Sequence, residues 1–571
     1  MLSSSLSGAG GSPPVLAMAL SFAICAICTD RVLRNRHRRE AEERYKVKTE
    51  RLARLLRDAD DRLTWSATRL GKAIRDGQLS SLQVTLLFMQ HLEIANLFTN
   101  SMVASRYDRA MLEAREADEV LDKHRKAGTR PESPFFGVPI FSKEVFEMPG
   151  MPFTAGVVAL KNRVGRSTCF ALGKVKDNGG VIVIGSGNIS EQCMWMESSN
   201  HVYGRTNNVY DASRTVGGSS GGTAATVSAL GSPFAITSDV GGSTRIPSLF
   251  NGLFGLKPTG GSVSNEGTTP STINRVNWFC QLGPCARHAE DLLPLLKLLA
   301  GPALPNPNYG EYQTKKDVAE RWLSDRIPLS KMKVYDCRRQ PGSFGILGVF
   351  QKARDQAMID AHDKVVKFML EAGTTVQDVD FPELSEGFDL WSACLGKETS
   401  SRPFRVILAE GKKGAGSVAW AFKELFLWLF TLGNYSDHTL PAVALAALEA
   451  IESLAVSKNK RMCVRTEKLR QTISEVLGDD GVMILPSLPT PAPAHGFQFV
   501  LRAAECAATG LINVLEFPSC AIPLGLDEEG LPLGVQVIAN HGNDHLCLSV
   551  ATALEEAGIA GWRPPKIRSG N

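Results

Sequence analysis

The sequence predicts an α/β protein: a large mixed, twisted β-sheet covered by helices on both faces. Three observations predict it. Helix-length and strand-length segments alternate from Thr68 to about Pro305, which argues for one sheet under helices and against two sandwiched sheets. Short apolar or β-branched runs, such as residues 181–185 and 233–240, read as buried strands. A last set of strand-like runs, 481–487, 521–525 and 530–538, ends in Pro-Leu-Gly turns and a closing helix opened by Asn543-Asp544. With 43% hydrophobic and 21% charged residues over 571 positions, the chain has the composition of a globular enzyme.

Composition also excludes several functions. A net charge of +4 gives no electrostatic footprint for nucleic acid, and no Cys/His spacing resembles a zinc site. The twelve cysteines are scattered through apolar surroundings, as suits reduced thiols facing the cytosol.

Residues 1–14 are a Ser/Gly tail, and 15–28 (VLAMALSFAICAIC) are apolar. That run is shorter than the roughly 20 residues of a spanning helix, and no positive side chain precedes it as a signal peptide requires. Arg31, Arg34, Arg36, Arg38 and Arg39 follow and keep the rest of the chain on the cytosolic side. We therefore expect residues 1–30 to be a tail and membrane anchor, either single-pass or dipping into the bilayer. Residues 31–66 are then a charged helical stalk in solvent, and 67–571 a catalytic domain facing the cytosol.

Residues 68–76, 80–94 and 104–121 have helical periodicity, the second opened by the cap signal Ser80-Ser81. An apolar strand over 136–143 delivers Lys143 at its end. Residues 305–322 read as loop, 333–337 as strand, and 355–372 as a helix stopped by Gly373. Residues 418–432 (VAWAFKELFLWLFTL) are apolar nearly all round, so that helix is buried or meets lipid. As an interfacial cap over about 418–440 it places Trp420 and Trp428 at headgroup depth.

The chemistry concentrates between Thr215 and Pro258. Two glycine-flanked serine turns lie there, Gly217-Gly218-Ser219-Ser220-Gly221-Gly222 and Gly241-Gly242-Ser243. Glycines let backbone N–H groups crowd a ligand, and a serine in such a turn presents its hydroxyl beside potential oxyanion donors. Serine needs a base, and Lys143 can be one if burial keeps its amine neutral. A rival reading takes Gly217-x-Ser219-x-Gly221 as a nucleophile elbow, with a histidine such as His438, His495, His541 or His545 downstream. The loop preceding it, 207–214, is not the strand an elbow requires.

Gly137-Val138-Pro139-Ile140, Lys143, the Gly217–Gly222 turn, Asp239-Val240-Gly241-Gly242-Ser243-Thr244-Arg245 and Gly255-Leu256-Lys257-Pro258-Thr259 occur in one order. Together they resemble the amidase signature family of serine hydrolases, over roughly residues 68–565. Cys193-Met194-Trp195 and Tyr203-Gly204-Arg205 place the likeness nearest the membrane-anchored fatty-acid amide hydrolases of type 2. The resemblance implies an amidase-signature fold and a Ser-Ser-Lys triad. Ser243 is then the nucleophile, Ser219 the bridging serine in cis-peptide geometry and Lys143 the base. It implies an oxyanion hole from the N–H groups of Val240, Gly241, Gly242 and Ser243, and a substrate wall including Cys193, Met194 and Ser220. No metal or organic cofactor is implied. The expected partners are a lipid amide, a membrane and, as an alternative to a monomer, a second copy of the chain; nucleic acid is not among them. The reaction implied is hydrolysis of N-acylethanolamines and primary fatty amides. Small or aryl amides, or glutamine as the ammonia donor of an aminoacyl-tRNA amidotransferase, stay open as alternatives. Thr223 departs from the pattern, because the fatty-acid enzymes tend to carry an acid there.

Overall fold

The computed structural model describes residues 43–300, 326–343, 346–410, 412, 415–453, 455–496 and 502–566. The expected anchor at 15–28 and the expected loop at 305–322 lie outside the described residues. Thirteen strands are described, taken in chain order. They are β1 (Met102–Ser105), β2 (Pro139–Lys143), β3 (Ile182–Gly187), β4 (Ser199–Asn200), β5 (Gly204–Arg205), β6 (Phe234–Asp239) and β7 (Phe254–Lys257). After them come β8 (Gln281–Ala286), β9 (Lys333–Asp336), β10 (Thr375–Asp378), β11 (Gly481–Leu485), β12 (Ser519–Leu526) and β13 (Pro532–Ala539).

Eleven of these strands form one sheet in the order β1-β3-β2-β6-β8-β7-β12-β13-β11-β9-β10. It is mixed. β2 runs parallel to both β3 and β6, and β9 parallel to β10 and β11. The middle, from β6 through β8, β7, β12 and β13 to β11, is antiparallel. Central strands buried along their whole length, such as β2, β3, β6 and β11, require layers above and below. Flanking helices supply them.

Two helices open on serine caps, of which the one at Ser80 is read from sequence. Ser66 accepts from Arg69 N to start Ala67–Arg75. Ser80 and Gln83 form a reciprocal capping box at the head of Ser81–Thr99. The helix expected over 104–121 begins only at Tyr107 and runs to Lys126, because Ala104 and Ser105 belong to the edge strand β1 beside β3. The expected solvated stalk is also corrected. A helix over 43–57 puts Leu52, Ala53 and Leu56 into the core, and Thr49 Oγ1 accepts the N–H of Ala212. The spacing of Leu52 and Leu56 is one apolar stripe on an otherwise charged helix.

Helices Phe404–Leu408, Val418–Thr431 and Leu440–Glu452 pack together as a separate cap. Val418–Thr431 buries Ala421 and Leu425. Trp420 turns inward, edge-on to His438 with centroids 5.6 Å apart, and Trp428 packs against the Leu425 cluster. The outward side chains are Phe426 (48% exposed), Phe430 (85%) and Tyr435 (79%), not the tryptophans expected there. Among the described residues no single helix is long and apolar enough to cross a membrane. Leu440–Glu452 and Ser457–Leu477, meeting at 99°, reach that standard only as a bent pair.

Candidate active site

Lys143 ends β2 and Ser238 lies near the end of β6, a parallel neighbour, so the two side chains meet at the carboxyl edge where open α/β sheets hold their ligands. Lys143 is completely buried. Its Nζ lies 2.7 Å from Ser219 Oγ, 2.9 Å from Ser238 Oγ and 3.5 Å from the Ser238 carbonyl oxygen. None of these is a carboxylate. Burial lowers the lysine pKa, and the nearby Cys193, Cys280 and Asp239 offset only part of that shift. Three neutral oxygens suit an uncharged amine, which donates two hydrogen bonds and accepts a third.

Ser219 sits in the first glycine turn with its Gly218–Ser219 peptide cis. Ser198 holds the turn, its Oγ bonding the carbonyls of Gly217 and Ser219 and accepting from Gly221 N. Gly217 has φ +83°, and a Cβ there would lie 2.7 Å from Pro247 Cα, so only glycine fits. Of the expected wall residues, Ser220 is displaced. It is fully buried at the head of helix Gly221–Ser228, and its hydroxyl turns to the Ser238 carbonyl, 3.4 Å away. Thr223 lies in that helix with its hydroxyl 3.5 Å from the Ser142 carbonyl.

The second turn is held from behind by Asp239. Its carboxylate accepts from the N–H groups of Gly242 (2.7 Å), Thr244 (3.1 Å) and Arg245 (3.3 Å), and from Arg245 Nε and Nη2 at 3.0 Å each. Burial pushes the Asp239 pKa up, but the Arg245 charge and hydrogen bonds from Arg245 and Asn513 outweigh it and hold it at about 2. The turn's carbonyls are pinned as well. Trp391 Nε1 donates to Val240 O (3.0 Å), Thr509 Oγ1 to Gly241 O (2.8 Å) and Asn513 Nδ2 to Asp239 O (2.9 Å).

With its carbonyls held back, the turn keeps other donors available. Among the described residues the N–H groups of Val240, Gly241 and Ser243 make no hydrogen bond within the chain. Gly242 differs from the expectation, since its N–H is engaged by Asp239. Its φ of +118° and the 2.1 Å that would separate a Cβ from Thr509 Oγ1 explain why glycine stands there.

Ser243 is 7% exposed and borders two apolar pockets that meet at Cys193, Met194, Val240 and Ser243. The larger includes Ser219 and Ser238 in its lining and has Arg402 as its one charged lining residue. The smaller runs under Trp391 and Phe388. No hydrogen bond joins Ser243 Oγ to Ser219 Oγ among the described residues. Cys193 and Met194 stand at the wall as expected. The Cys193 thiol also touches Lys143 and Ser219, and burial raises its pKa. Glu191, two residues earlier, fixes this loop to the cap. It accepts from Thr439 N and Thr439 Oγ1 and pairs with His438 Nδ1 at 2.7 Å.

No histidine hydrogen-bonds to Ser219 among the described residues, and residues 207–214 form no strand, so the elbow reading loses both supports. His438 is committed to Glu191, and His495 to Glu197 and Ala212 O. Sequence reasoning also passed over Ser238, Trp391, Thr509 and Asn513. Only Ser238 carried a signal, as a hydroxyl at the end of an apolar strand.

The sheet, the two glycine turns and the buried lysine define a serine hydrolase architecture. Residues 83–548 match the family model described as Amidase. The chain belongs to the amidase family and is an amide hydrolase of the serine type. It is 35% identical over 509 residues to fatty-acid amide hydrolase 2 of Homo sapiens, covering 88% of this chain and 90% of that protein. It is 26% identical over 527 residues to a glutamyl-tRNA(Gln) amidotransferase chain of Streptomyces avermitilis, covering 88% and 97%. A solved structure of a fatty acid amide hydrolase has the same fold, with a TM-score of 0.64 at 20% identity over 86% of this chain and 85% of that one.

Proposed function

We propose that this chain hydrolyses fatty-acid amides, N-acylethanolamines and primary fatty amides, with Ser243 as nucleophile, Ser219 as proton bridge and Lys143 as base. The observation that carries the mechanism is the buried Lys143 amine, 2.7 Å from Ser219 Oγ with no carboxylate among its hydrogen-bond partners. The relay closes when Ser243 rotates about Cα–Cβ toward Ser219 as substrate enters, since catalytic hydrogen bonds commonly tighten only in the substrate complex. Ser243 Oγ attacks the carbonyl carbon, its proton passes through Ser219 to Lys143, and the N–H groups of Val240, Gly241 and Ser243 receive the oxyanion. Lys143 returns the proton through Ser219 to the leaving nitrogen. Water then cleaves the acyl-enzyme.

The substrate class rests on the 35% relative and on the apolar lining of both pockets. Glutamine would call for an acid beside its α-amino group as well as a cation beside its α-carboxylate, and Arg402 is the sole charged residue on the larger wall. Membrane association is part of this proposal. Its supports are the apolar run at 15–28 and the outward Phe426, Phe430 and Tyr435 of the cap, with the catalytic domain on the cytosolic side.

A fluorophosphonate probe followed by peptide mass spectrometry tests the roles. The adduct is expected on Ser243, and Lys143→Ala is expected to slow labelling by about 100-fold or more, the scale of a lost general base. Turnover should fall as pH drops through the lowered lysine pKa, because protonation removes the base. An adduct on Ser219, or unimpaired labelling of Lys143→Ala, overturns the assignment.

A further inference from the structure

We propose that Cys394 and Cys463 form a reversible disulfide that acts as an oxidative brake on the hydrolase site. Cys394 lies in helix Gly387–Glu398 and Cys463 in helix Val456–Leu477, and the two helices pack against each other. Each thiol reaches across the gap. Cys394 Sγ donates to Thr466 Oγ1 at 3.4 Å and Cys463 Sγ to the Ala393 carbonyl at 3.7 Å, so each thiol lies against the segment that carries the other. Both are reduced here. Joining them draws the two helices together until the sulfurs reach the roughly 2.05 Å of a disulfide.

The pair is asymmetric in a way that suits oxidation. Cys394 is buried and Cys463 is partly exposed, so an oxidant reaches Cys463 first. Interaction with Cys394 lowers the Cys463 pKa, whereas Cys394 is raised by the same interaction. Cys463 is therefore the attacking thiolate and Cys394 the resolving thiol. With hydrogen peroxide, the Cys463 thiolate attacks one oxygen, the O–O bond breaks, and the released hydroxide takes a proton to leave as water. The resulting sulfenic acid is attacked by Cys394 sulfur, the S–O bond breaks, and the departing hydroxide takes the Cys394 proton. Two thiols and one peroxide become one disulfide and two waters.

The consequence for the site runs through one helix. Trp391, one turn before Cys394, donates to the Val240 carbonyl, and Leu395, the next residue after Cys394, lines the larger pocket. Drawing this helix toward Val456–Leu477 moves the indole that holds the Val240 peptide, and a misplacement of about 1 Å near reacting groups costs on the order of 100-fold in rate.

The test treats the purified full-length protein with hydrogen peroxide, alkylates free thiols, and maps peptides without reduction while turnover of a primary fatty amide is followed. A Cys394–Cys463 cross-linked peptide is expected, with kcat falling at least about tenfold and recovering with dithiothreitol. Cys463→Ser and Cys394→Ala should each keep their starting activity through the same treatment. Absence of the cross-linked peptide overturns the proposal independently of any substrate assignment. So does a cross-link that leaves kcat unchanged, or inhibition that persists in Cys463→Ser and maps to Cys193.

Discussion

Asp239→Asn is the sharpest test of how the serine turn is built. The wild-type carboxylate takes three backbone N–H groups and two guanidinium N–H groups while wholly buried. An amide in its place turns an NH₂ toward some of those donors and leaves Arg245, itself 1% exposed, as an uncompensated buried charge. Breaking one side of a buried pair costs about 3–5 kcal/mol. Part of that is visible in pH. A folded pKa of about 2 against the ordinary 3.8 corresponds to about 2 kcal/mol of stability. The folded value is depressed, so this stability is fully present above the unfolded pKa and is lost as pH falls through about 4 toward 2. At pH 3 about half has gone. Urea unfolding of wild type and Asp239→Asn at pH 7 and pH 3 should give a gap of about 3–5 kcal/mol that narrows by about 1 kcal/mol at the lower pH. A variant as stable as wild type at pH 7, or a gap unchanged at pH 3, would refute the claim that this ionised carboxylate organises the turn.

Two further outcomes follow from named contacts. Trp391→Phe keeps most of the ring but leaves the Val240 carbonyl without its 3.0 Å donor. It should lower kcat by about tenfold, from about 1–2 kcal/mol, with KM nearly unchanged in steady-state assays; a raised KM with intact kcat would mean that the indole serves only the smaller pocket. Phe426→Ser with Phe430→Ser strips the two outward rings of the cap. Turnover of a vesicle-embedded fatty amide should drop about tenfold or more while that of a short water-soluble amide holds, and an equal drop for both would place the rings in folding.

What could be read from the chain was local, and what could not was distant. Glycine pairs beside a serine declare a tight turn because backbone with φ near +83° or +118° excludes other residues. Lys143 at the end of an apolar strand reads as a solvated cation by itself, and only the two serine turns beside it point to a buried base. The partners that aim the second turn carry no such mark, since Trp391 reaches Val240 across 151 positions, Thr509 reaches Gly241 across 268, and Asn513 reaches Asp239 across 274. The errors share that cause. Leu52 and Leu56 were visible as a stripe, but the surface receiving them comes from elsewhere in the fold. Ala104 and Ser105 are short enough to pass for the start of the next helix until β3 is found beside them. Ser220 shares its turn with Ser219, and the start of a helix decides which of the two hydroxyls faces the lysine.

The site divides its polar groups by side. Behind the second turn, Asp239, Trp391, Thr509 and Asn513 hold the peptide units without a ligand, while the N–H groups of Val240, Gly241 and Ser243 make no hydrogen bond among the described residues. Donors fixed in advance stabilise developing charge without reorganising as the reaction proceeds. In front, the Glu191 loop bonds to the cap at His438 and Thr439, and Gln192 Nε2 adds a bond to Ile407 O at 2.8 Å. The Cys193–Met194 wall is therefore fastened to the cap at the head of Leu440–Glu452 and at Phe404–Leu408. The link from the cap to Cys193 and Met194 thus runs through the two residues before them, Glu191 and Gln192.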